Sequence, residues 1–346
     1  MTFENIIESN LKSISDEFET WTFSKNKKRG QSDTFTIFNS SDEPIYIAKF
    51  FDYLVDLKRE MNIQNIDSFE NLDNLLENID LLEGIDCVSY GIDLIIDYIL
   101  FQQRCFKRYV QVCQISTLEC FPKVVSAVNE LKFNNSFYGF LIEEYVNGVT
   151  LENQLPFNDE IDRAEKAFDF LQQLGNVVEK LSFNGIVHRD ISPDNVMCKK
   201  DDYIVIDPGM VKLSDDSPAT QSMMILGKRL YASPEQYFGN AKMATFKSDL
   251  YAIGITSLEI VIGYNPLKKI IFDEGKSHAP HNELLKKFDR EIEDEYYDNV
   301  DENEFTSRLL LIIKKLLQIE DELRFDSVES FMTSLNSLKE RVIYND

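Results

Sequence analysis

Ile186-Val187-His188-Arg189-Asp190-Ile191-Ser192-Pro193-Asp194-Asn195-Val196 is the stretch that decides the fold. It follows a long helical pattern and precedes the apolar run Tyr203-Ile204-Val205-Ile206, which leads into Asp207-Pro208-Gly209. Pro193 and the polar residues around it mark a short loop, so Asp190 sits on that loop with Asn195 close behind it. Asp207 arrives at the end of the next strand. Two oxygen ligands from separate segments, with one carboxylate to spare, suit a Mg²⁺-nucleotide site. Mg²⁺ prefers hard oxygen donors, takes one or two from protein, and completes its shell with phosphates and water.

Outward from this loop the chain changes character. Upstream, Ala164, Ala167, Phe168, Phe170, Leu171, Leu174, Val177, Val178 and Leu181 recur at helical spacing, predicting a helix over 161–181. Residues 33–38 and 44–50 flank the turn Asn39-Ser40-Ser41-Asp42-Glu43-Pro44 and predict a β-hairpin. Residues 138–146 predict a further strand, ended by Asn147-Gly148. Beyond residue 245 the apolar pattern is helical almost throughout. The expected class is α+β, a small β-rich N-terminal lobe over 1–145 followed by a larger, mainly helical lobe over 146–346. Residues 51–101 fit neither lobe and predict a helical insertion. They carry twelve acidic residues against Lys58 and Arg59, a net charge of −10.

The order of motifs resembles the eukaryotic-type (Hanks-type) Ser/Thr protein kinase family, in its bacterial style, and a bilobal kinase fold is what the resemblance implies. It further implies ATP and Mg²⁺ as cofactors and transfer of the γ-phosphoryl group to Ser or Thr of a protein substrate. His188-Arg189-Asp190 resembles the HRD loop, with Asp190 as catalytic base. Asn195 and Asp207 then stand as metal ligands, Asp207 in the place of the DFG aspartate. Tyr46-Ile47-Ala48-Lys49 resembles the VAIK strand, making Lys49 the phosphate-binding lysine. Glu144-Tyr145-Val146 resembles the hinge, whose backbone holds adenine, with Ala48 and Met197 against the base. Ser233-Pro234-Glu235 resembles APE, Arg324 its distant partner, and Asp249 the aspartate that braces the catalytic loop.

Several positions depart from that pattern. The Gly-rich loop is reduced to Gly30 among Lys25, Lys27, Lys28 and Arg29, and these cations are expected to replace some backbone contacts to phosphate. The helix before the 138–146 strand is expected at 103–118, with Ile115 and Leu118 inward. There the family's lysine-pairing glutamate falls near Gln111, which has no charge. Glu143, just before the hinge, is the first expected counter-ion for Lys49, and Glu60 the second. Pro208 replaces the phenylalanine of DFG. Ser192 and Lys228 stand where the family has lysine and threonine, so Lys228 is expected to supply a catalytic cation and Ser192 the hydroxyl. Thr220 or Ser222 is the expected autophosphorylation site, with Arg189 as phosphate partner, and Asp215 and Asp216 are the alternative, standing in for the phosphate permanently.

The chain has 346 residues, with 60 Asp+Glu against 36 Lys+Arg, a formal charge of −24. That balance opposes non-specific binding to nucleic acid or anionic membrane and favours a basic over an acidic protein substrate. A 43% hydrophobic fraction with 25 Phe and 15 Tyr supplies a packed core and excludes a disordered acidic tail. Met1–Asn10 shows no signal-peptide pattern, and five cysteines without a C-x-x-C pair read as reduced thiols; a cytoplasmic protein is expected. His278 and His281 lie in a loop-like stretch with no third ligand nearby, so no metal is expected there. Two alternatives stand beside the kinase: a non-catalytic pseudokinase scaffold, and a kinase-fold enzyme with another substrate or nucleotidyl-transfer chemistry.

Overall fold

In β3, Pro44–Asp52, side chains alternate between two faces, and that alternation organises the N-terminal unit. Ala48 and Phe50 point to one face; Ile47, Lys49 and Phe51 share the other. The computed structural model describes residues 2–26, 32–53, 92–115, 120–133, 136–157, 160–208, 212–213, 229–238, 243–288 and 304–343. It divides into two units, Met1–Asn147 and Gly148–Asp346. The expected division was after residue 145.

The first unit is a five-stranded antiparallel sheet of order β1-β2-β3-β5-β4. Its other strands are β1 (Thr22–Lys25), β2 (Ser32–Phe38), β4 (Val124–Phe133) and β5 (Ser136–Glu144). β2 and β3 form the expected hairpin, with Phe35 opposite Ala48. The Ala48–Phe50 face is covered by α1 (Phe3–Leu11), a helix not expected from the sequence pattern. Ile6, Ile7 and Leu11 pack there with Phe35, Ile37, Ala48, Phe50, Phe140 and Ile142 in one buried cluster. Each fully buried side chain of this size contributes about 1.5–3 kcal/mol. Thr2 caps the helix, and Asn5 returns the bond in a capping box.

The opposite face is covered by α2, Ile92–Cys113. Phe106 and Tyr109 lie edge-on to Phe51, with ring centroids 5.5 and 5.6 Å away. Gly139 on β5 permits this approach: a Cβ there would meet the Tyr53 hydroxyl and stand 2.6 Å from the Phe106 ring. The expected 103–118 helix is corrected at both ends. α2 takes in the last ten residues of the expected 51–101 insertion, because the apolar run from Ile92 continues the helical pattern. It stops at Cys113, where Gln114 N is shared between the Val110 and Gln111 carbonyls and Ile115 N turns back to Val112. Leu118 and residues 54–91, Glu60 among them, lie outside the described residues.

The second unit is built on α3 (Glu160–Phe183) and α5 (Phe246–Ile262), with α7 (Glu304–Leu316) and α8 (Val328–Ile343) against them; α4 (Pro234–Tyr237) and α6 (Pro280–Lys287) are shorter. Because α5 is buried nearly all round, it lacks a polar face. Thr245 and Ser248 form its capping box, and Gly263 ends it at φ 82°, a left-handed cap. Short strands complete the unit: β6 (Val149–Thr150), β8 (Val196–Lys199) and β9 (Asp202–Val205) in one sheet, β7 (Ile186–Val187) with β10 (Lys212–Leu213) in another. Among the described residues no single helix is long and apolar enough to cross a membrane.

Candidate active site

The loop between β7 and β8 carries His188 to Asn195, and it is held from below by α5. Asp249 lies buried in the first turn of that helix. Its Oδ2 accepts from His188 N and its Oδ1 from Arg189 N, both at 2.8 Å. Burial pushes the Asp249 carboxyl up to about 7, against the pull of the two amide donors and the Arg189 charge. Arg189 takes φ 68°, a left-handed conformation uncommon for a side chain of this size, so the loop turns sharply before Asp190.

Asp190 is then fixed from two sides. Asn195 Nδ2 donates to the Asp190 carbonyl at 2.9 Å and to its Oδ2 at 2.8 Å. Asp190 N donates to His188 Nδ1 at 3.3 Å. Full burial lowers His188 to about 3, so the ring is neutral and able to accept that bond. With its amide nitrogen engaged on Asp190, Asn195 offers Oδ1 as a neutral oxygen ligand. Ile206 N donates to the Asn195 carbonyl at 2.9 Å, tying the end of β9 to the loop. Asp207 follows at φ 60°, and buried Pro208 locks the backbone behind it. Among the described residues no group of three or more His, Cys, Asp or Glu side chains gathers to hold a metal. The Asn195 amide oxygen and Asp207 carboxylate, two hard donors on tied segments, fit a cation that takes few protein ligands.

The segment behind the loop is locked by Glu235 and Arg324. Arg324 Nη1 and Nη2 donate to Glu235 Oε1 and Oε2 at 3.0 and 2.9 Å. Its remaining N–H groups reach the carbonyls of Gln318, Lys247 and Ile319, so all five donors are used. Burial raises Glu235, yet the guanidinium and the Ser248 hydroxyl outweigh it and hold the carboxyl below its ordinary value. Gln236 was not singled out from the sequence: its Nε2 donates to the Arg189 carbonyl at 2.9 Å, and Ser233 donates to its Oε1. His281, expected in a loop, lies buried on α6. Its Nε2 is 3.2 Å from the Ala232 carbonyl, and burial lowers its pKa to about 4.

In the first unit the phosphate-lysine candidate has a partner. Lys49 Nζ lies 2.8 Å from Glu143 Oε1, with both side chains nearly buried. Lys49 also donates to the Tyr109 hydroxyl at 2.7 Å, and that hydroxyl donates to Glu143 Oε2 at 2.7 Å. Glu143, one strand over, thus supplies the counter-charge. Gln111 is exposed on α2, and the residue that α2 presents to the lysine is Tyr109.

Other expected positions are corrected. Ala48 is fully buried in the α1 cluster, on the face away from Lys49, so it cannot lie against a base. Ile47, two residues from Lys49, shares the lysine's face of β3. Lys25 is turned toward α1, paired with Asp33 at 2.9 Å and 5.2 Å from the Phe3 ring centroid. Ser192 is buried and its hydroxyl donates to Asp194, which withdraws it from substrate. Glu144 is the last residue of β5, its N donating to the Lys123 carbonyl, and Val146 lies two residues beyond it. Met197 is half-buried in β8, opposite Ile204. Lys27, Lys28, Arg29, Gly30, Lys228, Asp215, Asp216, Thr220 and Ser222 lie outside the described residues.

A sheet unit carrying a paired lysine, and a helical unit carrying a braced Asp–Asn loop and a Glu–Arg lock, define a protein-kinase-like fold. The chain belongs to the protein kinase domain family, whose model matches residues 105–334. It is 28% identical over 224 residues to serine/threonine-protein kinase D of Synechocystis sp., covering 63% of this chain and 38% of that protein. It is 34% identical to PrkC of Bacillus subtilis over 161 residues, 46% of this chain and 24% of that kinase. With the serine/threonine-protein kinase PknA of Mycobacterium tuberculosis it shares 34% identity over 128 residues, 37% and 29% of the respective chains. The chain spans well under half the length of these curated relatives.

Proposed function

We propose that the chain is an ATP-dependent protein kinase that transfers the γ-phosphoryl group to serine or threonine hydroxyls, of basic protein substrates and of its own activation segment. The observation that carries this reading is the Asp190 carboxylate, oriented by Asn195 and set on a loop whose amides are held by Asp249. Asp190 accepts the proton of the substrate hydroxyl as its oxygen attacks phosphorus. His188, neutral through burial, accepts from Asp190 N and so helps to hold the residue in place. Lys49 binds phosphate oxygens, and the Glu144 and Val146 backbone takes the base edge. Asn195 Oδ1 and Asp207 would hold Mg²⁺, which when bound neutralises charge on the phosphates. Catalysis of this kind is mostly positioning and charge stabilisation, which a rigid Asp190–Asn195 pair and a paired lysine provide.

The names of the similar proteins support Ser/Thr transfer, and the −24 charge supports a basic substrate. The test offers [γ-³²P]ATP and [α-³²P]ATP with Mg²⁺, a lysine-rich protein and an acidic one. Label from the γ position alone, passing mainly to the basic protein, is expected. Incorporation of α label would replace the reading with nucleotidyl transfer; no incorporation of either would leave a scaffold.

A further inference from the structure

The chain lacks a glutamate on α2 to meet Lys49, yet α2 still reaches the lysine through Tyr109, which is fully buried. A phenol accepts from an ammonium and donates to a carboxylate, so it fits between a cation and an anion. The observed chain runs in that order: Lys49 Nζ to Tyr109 Oη, then Tyr109 Oη to Glu143 Oε2, each at 2.7 Å. The ring is also packed edge-on to Phe51 and lies 5.2 Å from Lys49 Nζ at its centroid.

We propose that Tyr109 is the positioning residue for Lys49, and that Tyr109 and Glu143 divide the work of a single helix glutamate. Glu143 supplies the negative charge and Tyr109 supplies the tie to α2. The inference rests on the reading of Lys49 as the phosphate-binding lysine. β3 and β5 are hydrogen-bonded neighbours in the sheet, so the Lys49–Glu143 pair stands wherever α2 lies. What α2 controls is the direction of the ammonium, through one neutral hydroxyl. A shift of α2 therefore changes phosphate binding in a graded way, because it breaks a hydrogen bond to a neutral group and leaves no buried charge stranded.

The experiment uses the full chain as wild type, Tyr109→Phe, Glu143→Gln and the double variant Tyr109→Glu/Glu143→Gln. Initial rates are measured over an ATP series, ATP-Mg affinity by calorimetry, and melting by circular dichroism. Tyr109→Phe keeps the ring against Phe51 and is expected to raise KM for ATP about three- to tenfold, with the smaller change in kcat. Glu143→Gln is expected to lower kcat/KM roughly tenfold or more. Tyr109→Glu, added to it, returns a carboxylate from the helix side and is expected to recover a large part of that loss. A tyrosine that only packs would leave Tyr109→Phe kinetically silent and give no recovery in the double variant; either result overturns the proposal. Should the double variant fail to fold, Tyr109→Phe decides alone. If wild type binds ATP-Mg but transfers no phosphate, the kinase reading fails while the calorimetric series still judges the triad. If wild type binds no ATP-Mg, the phosphate role of Lys49 is wrong and the triad inference falls with it.

Discussion

Replacing Arg324 by methionine is expected to destabilise the second unit severely, and the structure sets the size. The side chain is wholly buried and gives five hydrogen bonds, two to Glu235 and three to backbone carbonyls. Methionine fills most of the volume but removes all five donors, including both that reach the Glu235 carboxylate. Removing one partner of such a buried pair costs about 3–5 kcal/mol. For a unit of this size each kcal/mol lowers the melting point by roughly 2–4 °C, so a fall of about 6–20 °C is expected. Urea unfolding at pH 7, followed by circular dichroism, measures it. The pH dependence has a definite sign. The folded Glu235 pKa lies below its ordinary value of 4.5, so the pair's contribution is fully present above about 4.5. It is lost as pH falls through the lower folded value, and the gap between wild type and Arg324→Met should close in acid. A loss under about 1 kcal/mol at pH 7, the size of a surface pair, would refute the reasoning, as would a gap that ignores pH.

Asp249→Asn replaces one of two acceptors by an amide donor facing a backbone N–H, which is expected to cost about 1–3 kcal/mol and to lower kcat. Wild-type Asp249, raised to about 7, keeps a proton in the folded state that the unfolded chain has lost. Its contribution to stability therefore falls between pH 4 and 7, and the Asn variant should lack that slope in denaturant titrations. Gln236→Ala frees the Arg189 carbonyl and is expected to reduce kcat with KM for ATP unchanged in steady-state assays. Gly139→Val forces the Phe106 ring and α2 outward, so calorimetry should show a loss of about 1–3 kcal/mol, and ATP affinity should fall with it.

Much of the site was legible because its motifs are local. The spacing from His188 to Asn195 fixes a loop, and the run at 203–206 delivers Asp207 beside it. The hairpin followed from two apolar runs around a polar turn. What escaped depends on facing and on through-space partners. The resemblance of residues 46–49 to the VAIK strand sets Ala48 against the base, whereas strand parity puts Ile47 on the lysine's face and Ala48 in the α1 core. Counting along the chain pointed to Gln111 for the helix partner of the lysine. The true helix face, Phe106, Tyr109 and Cys113 at helical spacing, was readable, but a tyrosine in a glutamate's role has no motif. Phe3, Ile6, Ile7 and Leu11 after Thr2 carried the signal for α1. Gln236 offered none, since its acceptor, the Arg189 carbonyl, is brought near only by the fold.

The central claim is that Asp190 serves hydroxyl phosphorylation in a working kinase. Mass-spectrometric mapping of phosphorylated residues tests it, on a lysine-rich protein and on the chain itself, after incubation with ATP and Mg²⁺. Wild type should yield phosphoserine and phosphothreonine, and Asp190→Asn, with unchanged melting, almost none. Equal phosphorylation by both proteins, or none by wild type, would contradict the account.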